Sequence, residues 1–229
     1  EDLANKILAK SNQTIEAIKG KLKDGDPKGN EHLFATSTNV KIIAKIERIV
    51  KQDNNIVGMI AAENPDAEYI FIGAHYDHLG LGEINSRSVG EHKTEVHNGA
   101  DDNGSGTVTV VELAEYFSGL KKENPASITS NLVFCLWSAE EMGLLGSNSF
   151  TSKLPIAEDK IKAYLNYDMV GRLKDNRLDL QGIGSATEWK SIAERKNVVS
   201  GFNLVMGDDP YLPTDATSFY LKGIPVASF

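Results

Sequence analysis

The sequence predicts a three-layer α/β/α sandwich around a mixed, mainly parallel twisted sheet. Three observations lead to this prediction. Several segments are continuously apolar, which is typical of strands covered on both faces. Segments with helical spacing separate them, and alternation of buried strands with helices is typical of α/β layers. The chain has 229 residues with 41% hydrophobic content, which is enough for one sizeable core.

The N-terminal part predicts a helix, a loop and two strands. Apolar residues recur at helical spacing over residues 3–18, and Gly20 is a plausible end for that helix. Residues 23–32 are polar, contain glycine and proline, and predict a loop. The segments "VKIIAKIERIVKQ" (40–52) and "NNIVGMIAAE" (54–63) then predict two strands.

From residue 68 onward the predicted elements alternate. Strands are predicted in five segments: 68–77, 131–138, 161–168, 177–184 and 224–229. Helices are predicted in four segments: 104–120, 142–154, 186–196 and 214–223. This order predicts a sheet whose strands are joined largely through helices.

Composition excludes several classes of protein. The net charge is −8 and the pI is near 5.2, so the chain does not have the excess of basic residues that is typical of nucleic-acid-binding proteins. A single cysteine, Cys135, lies in an apolar segment, so we expect a core thiol and no intrachain disulfide. No segment has the ~18–20 consecutive apolar residues of a membrane span, and this chain shows no signal peptide.

Acidic residues and histidines collect where the predicted strands end. They occur in four segments: His75, Asp77 and His78; Asp101 and Asp102; Glu140 and Glu141; and Asp168. Open α/β sheets bind ligands outside the carboxyl ends of their strands. Carboxylates gathered there would repel one another unless a cation compensates them. Carboxylate and imidazole ligands suit zinc best, with manganese or cobalt as alternatives.

Each piece has a plainer alternative. Within "HYD", His75 and Asp77 share one strand face, so an imidazole could bind a metal while Asp77 accepts its other N–H. A solvated loop pair would look the same. An aspartate in "GADDNGSG" could cap the following helix, and Asp168 could be a turn residue. Glu140 and Glu141 are harder to explain without a function, because two adjacent acids follow an apolar strand. Adjacent side chains diverge, so one could bind a metal and the other a metal-held water.

Five segments together resemble a known enzyme family. They are "GAHYDHLG", "NGADDNGSGT", "WSAEEMGLLGS", "LNYDMVGR" and "PTDATSFYLKGIPV". Their order and spacing over residues 56–229 resemble the two-zinc aminopeptidases of the bacterial leucyl aminopeptidase type. That family includes relatives of glutamate carboxypeptidase, the transferrin receptor and glutaminyl cyclase.

The resemblance implies a role for each site residue. His75 and Asp168 would bind the first zinc ion, Asp101 would bridge both ions, and Glu141 would bind the second. Glu140 would be the general base and Asp77 would orient His75. His78 would be structural or would contact a metal-ligating residue. The resemblance also implies a cis peptide bond between Asp101 and Asp102.

The sequence departs from the family pattern at its end. The family supplies one more zinc-ligand histidine after the last strand, whereas this sequence stops at "GIPVASF". We therefore expect residues 1–229 to be a single, C-terminally incomplete catalytic domain, with two zinc ions in an intact site and one if the second site is incomplete. His92 or His97 could substitute. Residues 1–30 are either its first helix or the exit of a preceding protease-associated domain. Ala216 stands where many relatives have histidine.

The resemblance implies a zinc exopeptidase that removes N-terminal residues from peptides with a free N-terminus. Two alternatives remain: a non-catalytic relative that keeps the fold for binding, and a glutaminyl cyclase. The resemblance also implies a secreted or periplasmic location. We expect no nucleic-acid partner and no membrane span.

Overall fold

The computed structural model describes residues 2–21, 38–41, 50–82, 86, 88–90, 92 and 95–229. The chain divides into two compact units, Glu1–Lys51 and Gln52–Phe229. The loop predicted over 23–32 and most of the strand predicted over 40–52 lie outside the described residues. The expectation of one catalytic domain over the whole chain stays a prediction.

In the described residues of the first unit there are two short α-helices, α1 (Asp2–Leu8) and α2 (Ile15–Lys21). The prediction of one helix over residues 3–18 is therefore wrong. The chain leaves helical geometry at Asn12, whose φ of 55° lies in the left-handed region that asparagine tolerates better than most residues. The Thr14 hydroxyl then accepts a hydrogen bond from an amide of α2, which starts a new helix.

The second unit is built on a seven-stranded sheet. Its strands are β1 (Ile56–Ile60), β2 (Tyr69–His75), β3 (Asn131–Trp137), β4 (Ile161–Asn166), β5 (Arg177–Gln181), β6 (Asn203–Gly207) and β7 (Val226–Ser228). Its helices are α3 (Gly106–Glu123), α4 (Leu145–Thr151), α5 (Trp189–Ser200) and α6 (Ala216–Tyr220). The strand order is β1-β3-β2-β4-β7-β5-β6.

The sheet is mixed and mainly parallel, as predicted. Only β1 against β3 and β5 against β7 are antiparallel; the other four neighbouring pairs are parallel. The parallel strands β3, β2, β4 and β7 form a continuous central block. Their carboxyl ends consequently meet at one edge of the sheet.

Most predicted elements occur with shifted bounds, and one was missed. Strand β6 was not predicted, although "NLVMG" pairs with β5 along its whole length. Strand β4 ends at Asn166, two residues before Asp168. Helix α4 begins only at Leu145, because the backbone N–H groups of Gly143 and Leu144 both donate to the carbonyl oxygen of Glu140 in a preceding turn.

The side chains of the central strands alternate between two cores. Phe71, Val133 and Trp137 face the core that α4 and α6 cover, and its partly buried residues include Phe150. Ile72, Leu132 and Phe134 face the core that α3 covers. Helix α5 packs through Trp189 and Ala193 against Leu180 and Ala227. Helices thus lie on both faces of the sheet, which confirms the three-layer sandwich, and Cys135 is a fully buried core thiol as expected.

Candidate metal centre

The predicted site residues follow the ends of three parallel strands. His75 is the last residue of β2 and lies opposite Trp137, the last residue of β3. Strand β4 runs parallel on the other side of β2. Glu140 and Glu141 follow β3 and Asp168 follows β4, so parallel pairing brings all of these side chains to one edge.

His75 is buried, with 2% of its surface exposed. Its Nδ1 lies 3.0 Å from the carbonyl oxygen of Asp77, which leaves Nε2 facing the carboxylates of Asp102, at 3.3 Å, and Asp168, at 3.5 Å. Donation from Nδ1 to a carbonyl selects the tautomer in which Nε2 can bind a metal. Burial lowers the pKa of His75, but Asp168, Asp77 and Glu140 outweigh it and raise the pKa to about 11. A bound cation would displace that proton.

Asp77 holds the turn that carries the two glutamates. Its carboxylate accepts hydrogen bonds from the amides of Glu140, at 3.0 Å, and Glu141, at 3.3 Å, and its Oδ1 is 3.7 Å from Nδ1 of His75. Burial raises the pKa of Asp77, but His75 and the two amides outweigh it, so the pKa lies below its ordinary value. Asp77 therefore stays ionised and joins the exit of β2 to the exit of β3.

Asp102, and not Asp101, lies between the two histidines. Its Oδ1 lies 3.3 Å from Nε2 of His75 and 3.7 Å from Nδ1 of His78. The carboxylate of Asp101 turns away and contacts Nε of Arg172 at 3.0 Å. Of these two aspartates, Asp102 is the one that lies in a group of possible metal donors among the described residues, and the bridging role implied for Asp101 stays a prediction.

The cause of this difference is visible in the contacts of Asp101. Its Oδ1 accepts hydrogen bonds from the amide of Gly171, at 2.9 Å, and the hydroxyl of Ser105, at 3.3 Å. These donors and the guanidinium of Arg172 hold it on the outside of the turn. The cis peptide bond joins Asp102 to Asn103, one residue after the predicted Asp101–Asp102 bond.

The turn that carries Asp102 is anchored to the exit of β4. Asn103 is buried; its side-chain amide donates to the carbonyl of Tyr167 at 3.0 Å, and its Oδ1 accepts from the amide of Gly106 at 3.0 Å. A Cβ on Gly106 would lie 2.3 Å from both Asn103 Oδ1 and the Tyr167 carbonyl oxygen. Only glycine fits this approach at the first residue of α3.

Glu140 and Glu141 point to different parts of the site. An Oε2–Nε2 distance of 3.9 Å separates Glu140 from His75, whereas Oε1 of Glu141 lies 2.7 Å from Nδ1 of His78. Burial raises the pKa of Glu140 to about 8. The two adjacent acids therefore diverge, as the sequence required.

Two donor groups result, each with one imidazole and two carboxylates. The first group is His75, Glu140 and Asp168, and the second group is His78, Asp102 and Glu141; within each, the donor atoms lie within 4.8 Å of one another. Asp168 Oδ1 and His78 Nδ1 are buried and make no hydrogen bond of acceptable geometry in the described part of the chain, although Asp168 Oδ1 lies 3.5 Å from Nε2 of His75 and His78 Nδ1 lies 2.7 Å from Oε1 of Glu141. Such donors fit zinc. Among described residues, the ion pairs of Asp102, Glu140 and Asp168 are with imidazoles alone.

Two residues at or near the site had no metal-binding role predicted for them. His78 was expected to be structural or to contact a metal-ligating residue. Its place three residues after His75 was the available signal that it lies close to the other donor atoms. Asp215 is almost completely buried, and this burial raises its pKa to about 7. The charges of His75 and Asp168 act on it, so it belongs to the same electrostatic environment.

Comparison with known proteins finds similar sequences and structures. A probable leucine aminopeptidase of Arthroderma otae is 30% identical over 192 residues, which are 81% of this chain and 49% of that protein. Among solved structures, BSAP, a zinc aminopeptidase from Bacillus subtilis, is 26% identical with a TM-score of 0.58 and covers 76% of this chain and 39% of its own. The chain thus spans about half the length of this curated relative.

A second likeness concerns the fold alone. The glutaminyl cyclase of Porphyromonas gingivalis has a TM-score of 0.59 at 20% identity, covering 76% of this chain and 62% of that one.

The sequence model of peptidase family M28 matches residues 55–229, which include both donor groups. The chain therefore belongs to peptidase family M28.

Proposed function

We propose that this chain carries the catalytic centre of a zinc-dependent aminopeptidase that binds two zinc ions. The observation that supports it most is the pair of donor groups at one sheet edge, with Asp102 between the two imidazoles. His75 and Asp168 would hold the first ion, Asp102 would bridge, and Glu141 would hold the second. The matched leucine aminopeptidase and the BSAP structure support the same activity.

Bound zinc ions would supply Lewis-acid chemistry, polarising the scissile carbonyl and acidifying the attacking water. Glu140 would be the group that moves the proton. Its carboxylate is largely buried, with Oε2 3.9 Å from Nε2 of His75, and a carboxylate beside the metal ions can take a proton from the attacking water and return it. It would accept the proton of the attacking water and pass it to the leaving amine.

The surrounding residues would keep that carboxylate in place. Asp77 holds the main-chain amides of Glu140 and Glu141. Gly146 donates its amide to the carbonyl of Ser138 at 2.9 Å, closing the turn from the other side. The position of Glu140 relative to His75 is therefore set by main-chain contacts, which favours reproducible proton transfer.

The test is the pair of variants Glu140→Gln and Glu112→Gln, measured on leucine p-nitroanilide with zinc content determined by elemental mass spectrometry. We expect Glu140→Gln to lower kcat by ~10²–10⁴-fold while zinc content is kept. Glu112, which is exposed on α3, is the matched control and should change neither quantity. Loss of zinc in Glu140→Gln would make Glu140 a ligand and not the base, and normal turnover would remove it from the mechanism.

The same preparation separates the alternatives. A non-catalytic relative would bind zinc or peptide without releasing product from any N-terminal anilide. A glutaminyl cyclase would convert an N-terminal glutamine peptide to its pyroglutamyl form and leave leucine anilide intact. Release of free leucine alone supports the proposed aminopeptidase.

We infer a secreted or periplasmic location from the resemblance to the family. In the part of the chain that is described, no helix is both long and apolar enough to cross a bilayer. Immunoblots of culture medium and of periplasmic and cytoplasmic fractions would test the location. A purely cytoplasmic signal would contradict it.

A further inference from the structure

The second donor group contains the imidazole of His78, for which the resemblance implies only a structural role or contact with a metal-ligating residue. We propose that His78 is itself a ligand of the second zinc ion, binding through Nδ1 together with Asp102 and Glu141. This inference rests on the proposed two-zinc centre and goes beyond it, since the resemblance implies no metal-binding role for His78.

The distances place Nδ1 of His78 among the carboxylate oxygens. It lies 2.7 Å from Oε1 of Glu141 and 3.7 Å from Oδ1 of Asp102. This nitrogen is buried, and no described residue offers it a hydrogen bond of acceptable geometry. A metal ion placed between this nitrogen and the two carboxylate oxygens would give all three atoms a strong partner.

The backbone holds the ring in this position. Gly99 has a φ of 64°, and a Cβ there would lie 2.9 Å from Cβ and 3.0 Å from Cγ of His78. The loop before Asp102 therefore packs directly against the imidazole, and a larger residue would push the ring away from the carboxylates. Such fixed orientation is what a metal ligand requires.

The other histidines near this loop have different partners. Nε2 of His97 lies 2.9 and 3.1 Å from the hydroxyls of Ser86 and Ser88, and its Nδ1 lies 3.1 Å from the carbonyl oxygen of Glu95. His92 is exposed and pairs with the Glu95 carboxylate at 3.0 Å. Among the described residues, His78 is thus the imidazole that completes the second donor group.

A purely structural role would also explain contact with Glu141, so the test must separate the two. His78→Asn keeps an N–H donor near the position of Nδ1 but provides no zinc-binding nitrogen, because an amide nitrogen has no available lone pair. His78→Ala removes both functions. His97→Ala is the matched control, since its ring centroid lies 6.4 Å from that of His78 and outside the donor group.

Zinc titration by calorimetry, with elemental analysis after desalting, gives the readout. For the unmodified chain and His97→Ala we expect about two ions per chain, and for His78→Ala and His78→Asn about one, with second-site affinity at least ~100-fold weaker. Circular dichroism confirms that each variant is folded. In the unmodified chain, zinc should also move the Nδ1 nitrogen resonance of His78.

The outcomes separate the proposals. Two ions with unchanged affinity in both His78 variants would overturn the role of His78 and leave the two-zinc centre standing. Full binding in His78→Asn but not in His78→Ala would assign His78 a structural role and also overturn the proposal. One ion or none in the unmodified chain would contradict the two-zinc centre itself.

Discussion

Asp101 and Asp102 are chemically identical neighbours whose surroundings differ because of the backbone between them. Asp102 has φ −102° and ψ 95°, outside helical geometry, and this turns its carboxylate towards His75 and His78. Asp101 is held by Arg172 and Gly171 on the other side. At the scale of single residues, the backbone geometry therefore decides which of the two carboxylates faces both imidazoles.

This difference gives a prediction for Asp102→Asn and Asp101→Asn. Asp102→Asn should reduce bound zinc to about one ion or none, because a neutral amide is a poor bridging ligand. Asp101→Asn should keep the metal and lose only the ion pair with the exposed Arg172, a change of about 0.2–1 kcal/mol in unfolding free energy. Elemental analysis and urea unfolding measure both quantities. Equal zinc loss in the two variants would contradict the assignment of Asp102.

At the scale of elements, the site depends on how α3 begins beside the end of β4. Gly106 is the first residue of α3. The side chain of Asn103 accepts from the backbone N–H of Gly106 and donates to the carbonyl of Tyr167, so it links the two. The hydroxyl of Thr107 donates to the carbonyl of His75 at 2.8 Å. The first turn of α3 thus connects the exits of β2 and β4, and the packing of these elements determines the spacing of the site residues.

Gly106→Ala and Gly119→Ala test this connection within one helix. A methyl on Gly106 would lie 2.3 Å from two oxygens, so we expect a loss of about 1–3 kcal/mol in unfolding free energy and weaker zinc binding. At Gly119, where nothing lies within 4 Å, the same change should stabilise by about 0.5–1 kcal/mol. Thermal unfolding and zinc titration are the measurements. Equal behaviour of the two variants would rule out the close approach at Gly106.

At the scale of the whole molecule, the metal-free centre binds protons in place of cations. The chain has a net charge of −8, and the edge of the sheet concentrates carboxylates. Burial raises the pKa of Glu140 from 4.5 to about 8 and that of Asp215 from 3.8 to about 7. Burial lowers the pKa of His75, but its carboxylate neighbours outweigh it and raise the pKa from 6.5 to about 11.

These shifts predict how metal-free stability depends on pH. For all three groups the pKa is higher in the folded state than in the unfolded chain. Each group therefore contributes fully to folded-state stability in acid, and this contribution decreases as pH rises towards the folded-state pKa. We expect unfolding free energy to decrease from pH 5 to pH 8 by up to about 1.4 kcal/mol per pH unit for each titrating group. Urea unfolding with a chelator measures it.

Two comparisons isolate the cause. Glu140→Gln should flatten the pH dependence between pH 4.5 and 8, because its titration is removed. Saturating zinc should stabilise the protein most at the higher pH, since displacing the protons of the ligands costs less free energy as pH rises. Metal-free stability that rises between pH 5 and 8 would show that other groups dominate.

The sequence by itself determined the α/β sandwich and the edge of the sheet where the possible metal donors lie. Apolar strands and helical spacing are local patterns, and residues that end parallel strands must meet. It could not determine which of Asp101 and Asp102 faces the histidines or that His78 joins the donors. Nor did it reveal strand β6 or the break at Asn12. Those features depend on loop dihedrals and on contacts between segments distant in sequence, such as Asn103 with Tyr167, and only the tertiary structure decides them.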